Sequence, residues 1–166
     1  MAKQKIALIT KMGMVAGMYV ALCYAFAFMS YNGDLLQFRI AEILIVLTLY
    51  NKKYCIPVIL GTFIANQLMF GWIDMVIGTF ATVLVLSVII LAKNKRVQKI
   101  IAAPAAAIIN GVIIGLMLYY IVGIPVPLWV LIANVAIGEF AVVLFGVLAF
   151  SGLEKANPKF IDMLKE

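Results

Sequence analysis

Six apolar runs, at roughly 12–31, 35–51, 55–71, 74–92, 100–122 and 126–151, take up almost the whole chain. Each is near the ~20 residues that an α-helix needs to cross a bilayer, the second and third being short. In hydrocarbon every backbone N–H and C=O must be bonded within the protein, so only helices and closed barrels span a membrane. Runs this long exclude a barrel, whose strands alternate over about ten residues. The composition agrees: 66% of the 166 residues are hydrophobic and 12% charged, where a soluble domain carries about 25% charged residues. The mean hydropathy is +1.16. The expected fold is a single all-α integral membrane domain over residues 1–166, a bundle of six transmembrane helices, with no room for a soluble catalytic domain.

The net charge is +6, but its distribution does not suit nucleic acid. The cations fall in short clusters between apolar runs: Lys3, Lys5 and Lys11; Lys52 and Lys53; Lys93, Lys95, Arg96 and Lys99; Lys155, Lys159 and Lys165. The connections Asn32–Asp34, Gly71–Asp74 and Gly123–Pro127 carry no lysine or arginine. Cytoplasmic loops are the basic ones, so both termini are expected in the cytoplasm and the three cation-free loops outside, in the cell (cytoplasmic) membrane. The start of the chain is basic and then apolar, like a signal peptide, yet five further runs follow, and it reads as a retained helix. Pro57 and Pro104 fall near the cytoplasmic starts of helices three and five, where a missing N–H is tolerated. Residues 152–166 read as a short polar or interfacial tail.

Against this background Arg39 and Glu42 stand out at the head of the second run. An ionisable group in hydrocarbon costs about 2.5–3.5 kcal/mol on insertion scales and is rarely carried without a use. Three residues apart on a helix, the two share a face, near the outer end. Glu139 lies near the middle of helix six, with Asn134 one to two turns outside it, and Asn110 lies mid-way along helix five. Asn66 and Gln67 close helix three, Trp72 and Asp74 follow, and Trp129 heads helix six. Convergent donors and acceptors with aromatic walls suit a small planar polar ligand. Each residue also has a plainer reading: Arg39 with Glu42 as a structural ion pair, Asn110 and Asn134 as interhelical glue, Trp72 and Trp129 as interfacial anchors, Asp74 as a helix cap. Glu139 is the hardest to explain structurally, since a mid-span carboxylate needs a partner.

Two ladders of small residues recur at intervals of four: Gly13, Gly17, Ala21 and Ala25 on helix one, and Ala103, Ala107, Gly111 and Gly115 on helix five. Such stripes let another helix approach closely in lipid. One ladder serves internal packing and the other a partner subunit, or both serve packing. The chain has no Gly-x-x-x-x-Gly-Lys-Ser/Thr loop, no histidine and no HExxH pair, so P-loop ATP binding and most hydrolytic schemes lack their parts. Cys23 and Cys55 lack metal-ligand spacing and lie in different regions. No metal or cofactor is expected, and no enzymatic activity.

Gln37-Phe38-Arg39-Ile40-Ala41-Glu42, followed by Gly61 and Asn66, by Gly71-Trp72-Ile73-Asp74 and by Gly78-Thr79-Phe80-Ala81-Thr82, resembles the QueT family. These are the queuosine-precursor substrate-binding subunits of energy-coupling-factor (ECF) transporters. The likeness runs over essentially the whole chain. It implies capture of a 7-deazaguanine-type base from outside, docking on a transmembrane coupling subunit that carries two cytoplasmic ATPase subunits, and ATP-driven toppling that releases the base inward. It also implies that the helix-one stripe, with Ala21 and Ala25, lies on the docking face. The loop after helix one and the loop between helices five and six are expected to cover the ligand. On this reading Glu139 or Glu42 accepts the adjacent N–H donors of the base, and Asn110, Asn134 or Gln67 serves its carbonyl and ring nitrogens. Trp72 or Trp129 stacks on the heterocycle, Asp74 or the second glutamate suits a cationic substituent, and Arg39 orients Glu42. Two alternatives stay open: a subunit of the same type for another vitamin-like heterocycle, and a stand-alone carrier or membrane enzyme.

Overall fold

The computed structural model describes residues 2–30 and 37–165; the Asn32–Asp34 connection lies outside them. Helix α1 (Ala2–Ala25) is followed by the short α2 (Ala27–Ser30), by a 3₁₀ segment (Ile40–Leu49) and by a 3₁₀ turn (Lys52–Tyr54). Then come α3 (Cys55–Met69), α4 (Trp72–Leu91), α5 (Lys95–Met117) with a π-turn (Leu118–Val122), α6 (Leu128–Ala156) and α7 (Pro158–Lys165). Among the described residues, four helical stretches are long and apolar enough to cross a membrane: Leu8–Ala25, Trp72–Leu91, Lys95–Val122 and Leu128–Ala156. This makes an all-helical membrane bundle. The second and third runs are shorter than expected. Ten residues of 3₁₀ helix reach ~20 Å and the fifteen of α3 about 22 Å, against a hydrocarbon core of about 30 Å.

The helix ends follow from local chemistry. Asn94 and Asn51 accept from the backbone N–H groups of Arg96 (2.8 Å) and Lys53 (3.0 Å), capping α5 and the 3₁₀ turn. At the end of α3, Phe70 and Gly71 both donate to the Asn66 carbonyl, and Gly71 turns the chain into α4 at φ +88°, where a side chain would strain the backbone. Pro104 lies ten residues into α5, not near its start, because the helix begins at Lys95. Its ring still removes a backbone bond there.

The 3₁₀ segment is the middle of the bundle. It packs against α1, α3, α4, α5 and α6, and eight of its ten residues are buried. That placement explains its sequence: an element enclosed on all sides has no need of a polar face. Lipid tails are as apolar as leucine, so close packing drives helix association in a membrane. The contacts show it. A Cβ on Gly146 of α6 would stand 2.7 Å from Ile43 Cγ1, and one on Gly138 would collide with the Gln37 carbonyl.

At the lysine-rich end, Lys99 pairs with Glu154 at 2.7 Å and sits over the Tyr50 ring, tying α5, α6 and the end of the 3₁₀ segment together. The tail is more than a polar end. Asn157 and Pro158 break α6, and the amphipathic α7 turns Ile161 fully into the core. Lys11 of α1 donates to the Met163 carbonyl at 3.1 Å.

Candidate functional site

At the opposite, cation-poor end a cavity of about 320 Å³ opens between the ends of α2, α3, α4 and α5. Its lining is mostly apolar (Met69, Phe70, Ile73, Met117, Leu118, Val122, Ile124), with Ser30, Gln37, Arg39 and Asp74 as the polar members. Size and character both suit a small-molecule site.

Arg39 is the last residue before the 3₁₀ segment, and Asp74 lies in the first turn of α4. One guanidinium nitrogen, Nη2, donates to both carboxylate oxygens at 3.3 and 3.4 Å. The two side chains are only 13% and 4% exposed. Arg39 also lies over the Phe70 ring, 5.6 Å from its centre. Behind the pair, Asn66 donates to the Asp74 backbone carbonyl at 3.1 Å. Gly78 leaves room for it, since a Cβ there would stand 2.5 Å from Asn66 Nδ2. Asn66 of α3 and Asp74 and Gly78 of α4 thus form one polar seam between the two helices.

This pairing corrects the expected one: the Arg39 guanidinium donates to Asp74, and no hydrogen bond from it to Glu42 occurs among the described residues. The Glu42 carboxylate is held from another helix, where Tyr19 of α1 donates its hydroxyl to Oε1 at 2.6 Å. Thr82 lies beside Glu42, but its hydroxyl donates to the Gly78 carbonyl. Glu42 Oε2 has no partner among the described residues. Nor have either oxygen of Glu139 or the Asn110 amide nitrogen, although both residues are 1% exposed. The Asn110 side chain lies against the Glu139 carboxylate without closing a hydrogen bond of normal geometry, and Glu139 lies within the field of Arg39 and Glu42. It is also next to the cavity wall, because Gln37, which lines the cavity, presses its carbonyl onto the adjacent Gly138.

Five of the expected site residues therefore come together: Arg39 and Asp74 on the cavity, and Glu42, Glu139 and Asn110 buried behind it. Four do not. Trp72 and Trp129 are 69% and 72% exposed, Gln67 is exposed and Asn134 half-buried, and none lines the cavity. Asp74 makes no side-chain cap for α4. The aromatic wall is Phe70, which like Tyr19 and Ser30 was not among the residues expected at the site. No cluster of metal-ligating side chains occurs among the described residues.

The two ladders separate. On α5, Ala103, Ala107, Gly111 and Gly115 are all buried, and a Cβ on Gly111 would stand 2.8 Å from Ala136 Cβ of α6. On α1, Gly13, Gly17, Ala21 and Ala25 are exposed, and a Cβ added at Gly13 or Gly17 would meet nothing within 4 Å.

The family model described as QueT transporter matches residues 9–155. The chain belongs to the QueT transporter family. The queuosine precursor transporter QueT of Lactococcus lactis subsp. cremoris (strain MG1363) is 36% identical over 87 residues, 52% of this chain and 52% of that protein. The chain therefore aligns with about half the length of that curated relative. No solved structure matches it. Membership of the QueT family, with four long apolar helices, makes this a multi-pass membrane protein of a transporter family. The QueT match takes in the whole cavity lining and the exposed α1 stripe, and stops short of α7.

Proposed function

We propose that this chain is the membrane-embedded substrate-binding subunit of an ATP-driven ECF importer. It takes up a queuosine precursor, a 7-deazaguanine-type base, at the cation-poor end of the bundle. All six apolar segments then cross the bilayer of the cytoplasmic membrane, both termini lie in the cytoplasm, and the cavity faces outside. The 3₁₀ segment and α3 fall short of the hydrocarbon thickness alone, and their burial among longer helices offsets this. The name of the Lactococcus relative supports the substrate class.

The observation that carries the reading is the set of buried, unpartnered polar atoms behind the cavity: both oxygens of Glu139, Glu42 Oε2 and the Asn110 amide. Leaving such groups unbonded costs about 1–3 kcal/mol each, more for charged ones, so an apolar core would not retain them without a use. The edge of a guanine-like base presents adjacent N–H donors and a carbonyl. Glu139 accepts two of those donors, a charge-assisted arrangement that is strong and directional, and Asn110 donates to the carbonyl. Phe70 supplies the stacking face. Asp74 and Arg39 hold each other and close the outer rim. No bond is made or broken: the chain binds and hands over its cargo.

The exposed α1 stripe supports docking on a transmembrane coupling subunit, with the two ATPase subunits below it in the cytoplasm. This chain has no ATP-binding loop of its own. A thermal-shift panel on the detergent-solubilised protein tests the ligand class. Strong stabilisation by 7-deazaguanine bases and none by riboflavin, thiamine or biotin is expected. The reverse pattern would assign the cavity to another heterocycle.

A further inference from the structure

Between α1 and α3 a narrow crevice of about 10 Å³ continues from the cavity, sharing Ser30, Arg39, Met69 and Phe70 with it. Tyr19 and Cys23 of α1 form its far wall. Tyr19 is 2% exposed and its hydroxyl is 2.6 Å from Glu42 Oε1. The ring lies against α3 where Gly61 has no side chain, and a Cβ there would stand 2.6 Å from Tyr19 Cβ. Helix α1 packs chiefly against α3 and the 3₁₀ segment, and its other side carries the exposed stripe.

From this geometry we infer that Tyr19 is a positioning residue for the binding site: it fixes one oxygen of Glu42 so that the other is presented to the ligand, and so makes the placement of α1 part of the site. A carboxylate with both oxygens loose among apolar side chains can turn about its last torsion. With Oε1 engaged by a buried hydroxyl, the direction of Oε2 is set. Because the donor sits on a peripheral helix, any shift of α1 away from the 3₁₀ segment breaks this bond and widens the crevice at once. The inference rests on the reading of the site given above. It adds that the face of α1 open to a partner and the carboxylate behind the cavity are joined by one hydrogen bond.

The test uses the full chain in nanodiscs with Cys55→Ser, so that Cys23 is the only thiol. Two quantities are measured: the affinity for 7-aminomethyl-7-deazaguanine and the alkylation rate of Cys23 by N-ethylmaleimide. Tyr19→Phe keeps the ring against Gly61 and removes the donor. It is expected to weaken binding about tenfold or more, the size of a lost charge-assisted hydrogen bond, and to speed labelling of Cys23 several-fold. In a Glu42→Gln background the same change is expected to cost less than twofold in affinity, because the two residues act as one unit. Binding by Tyr19→Phe within twofold of the parent, or equal losses in both backgrounds, overturns the positioning role. An unchanged labelling rate overturns the tie between α1 and the site. Failure of the parent itself to bind the base would sink the ligand assignment instead, and the labelling rate would still decide on Tyr19.

Discussion

Asp74 and Arg39 are each the only ion-pair partner found for the other among the described residues, and both are nearly buried. Removing one side leaves the other charge without its hydrogen-bonded partner in a poorly solvated place, a change that costs about 3–5 kcal/mol in buried pairs. Asp74→Asn is therefore expected to lower the melting temperature in detergent markedly, and Arg39→Met combined with it to recover much of the loss. Glu139→Gln behaves differently. It removes a charge whose oxygens accept no hydrogen bond among the described residues, so the apo protein should melt no lower than the parent, while affinity for the base falls by at least about tenfold, the worth of a charged hydrogen bond. Unchanged affinity in calorimetry would take Glu139 out of the site. Carboxylates such as Glu139 and Asp74 were legible in the sequence because a charge among apolar residues is conspicuous. Tyr19 was not: a tyrosine in an apolar helix looks ordinary until Glu42 is seen against it. Trp72 and Trp129 misled for the opposite reason, since a large aromatic near polar residues suits a pocket wall and a lipid interface equally well.

Among the helices, the two small-residue ladders have the same spacing and opposite surroundings. Gly115 lies so close to α6 that a Cβ would stand 2.6 Å from Ile132 Cγ1. Gly115→Val is expected to destabilise by about 1–3 kcal/mol through overpacking, read as a lower melting temperature. A Cβ on Gly17 would meet nothing within 4 Å. Gly17→Leu should leave the melting temperature of the isolated chain within the small range of ordinary surface changes, about 0.5 kcal/mol, yet abolish co-purification with a coupling subunit. Loss of stability without loss of co-purification would reassign the stripe. The run 35–51 shows how far pattern reading carries. Its apolar character was plain, but an enclosed segment and a lipid-facing span have the same composition, so its 3₁₀ form and central position were not. The tail shows the same limit: one isoleucine, Ile161, turns it inward.

For the whole molecule, the proposed orientation makes tags at either terminus reachable only from the cytoplasmic side of intact cells, and protease protection checks it. Transport into proteoliposomes should need the coupling subunit, both ATPases and internal ATP; accumulation by this chain alone would make it a carrier. Membership of the membrane class, the succession of apolar segments and the identity of the out-of-place polar residues were present in the order of amino acids, because the preference of a segment for hydrocarbon is a local property of its side chains and length. Which surfaces meet was not. Between apolar helices in lipid the transfer term is nearly the same for every arrangement, and close packing selects among them. That selection buried the ladder of α5 and exposed that of α1. It also gave Arg39 to Asp74, thirty-five residues away, while Glu42, three residues from Arg39, went to Tyr19 on another helix.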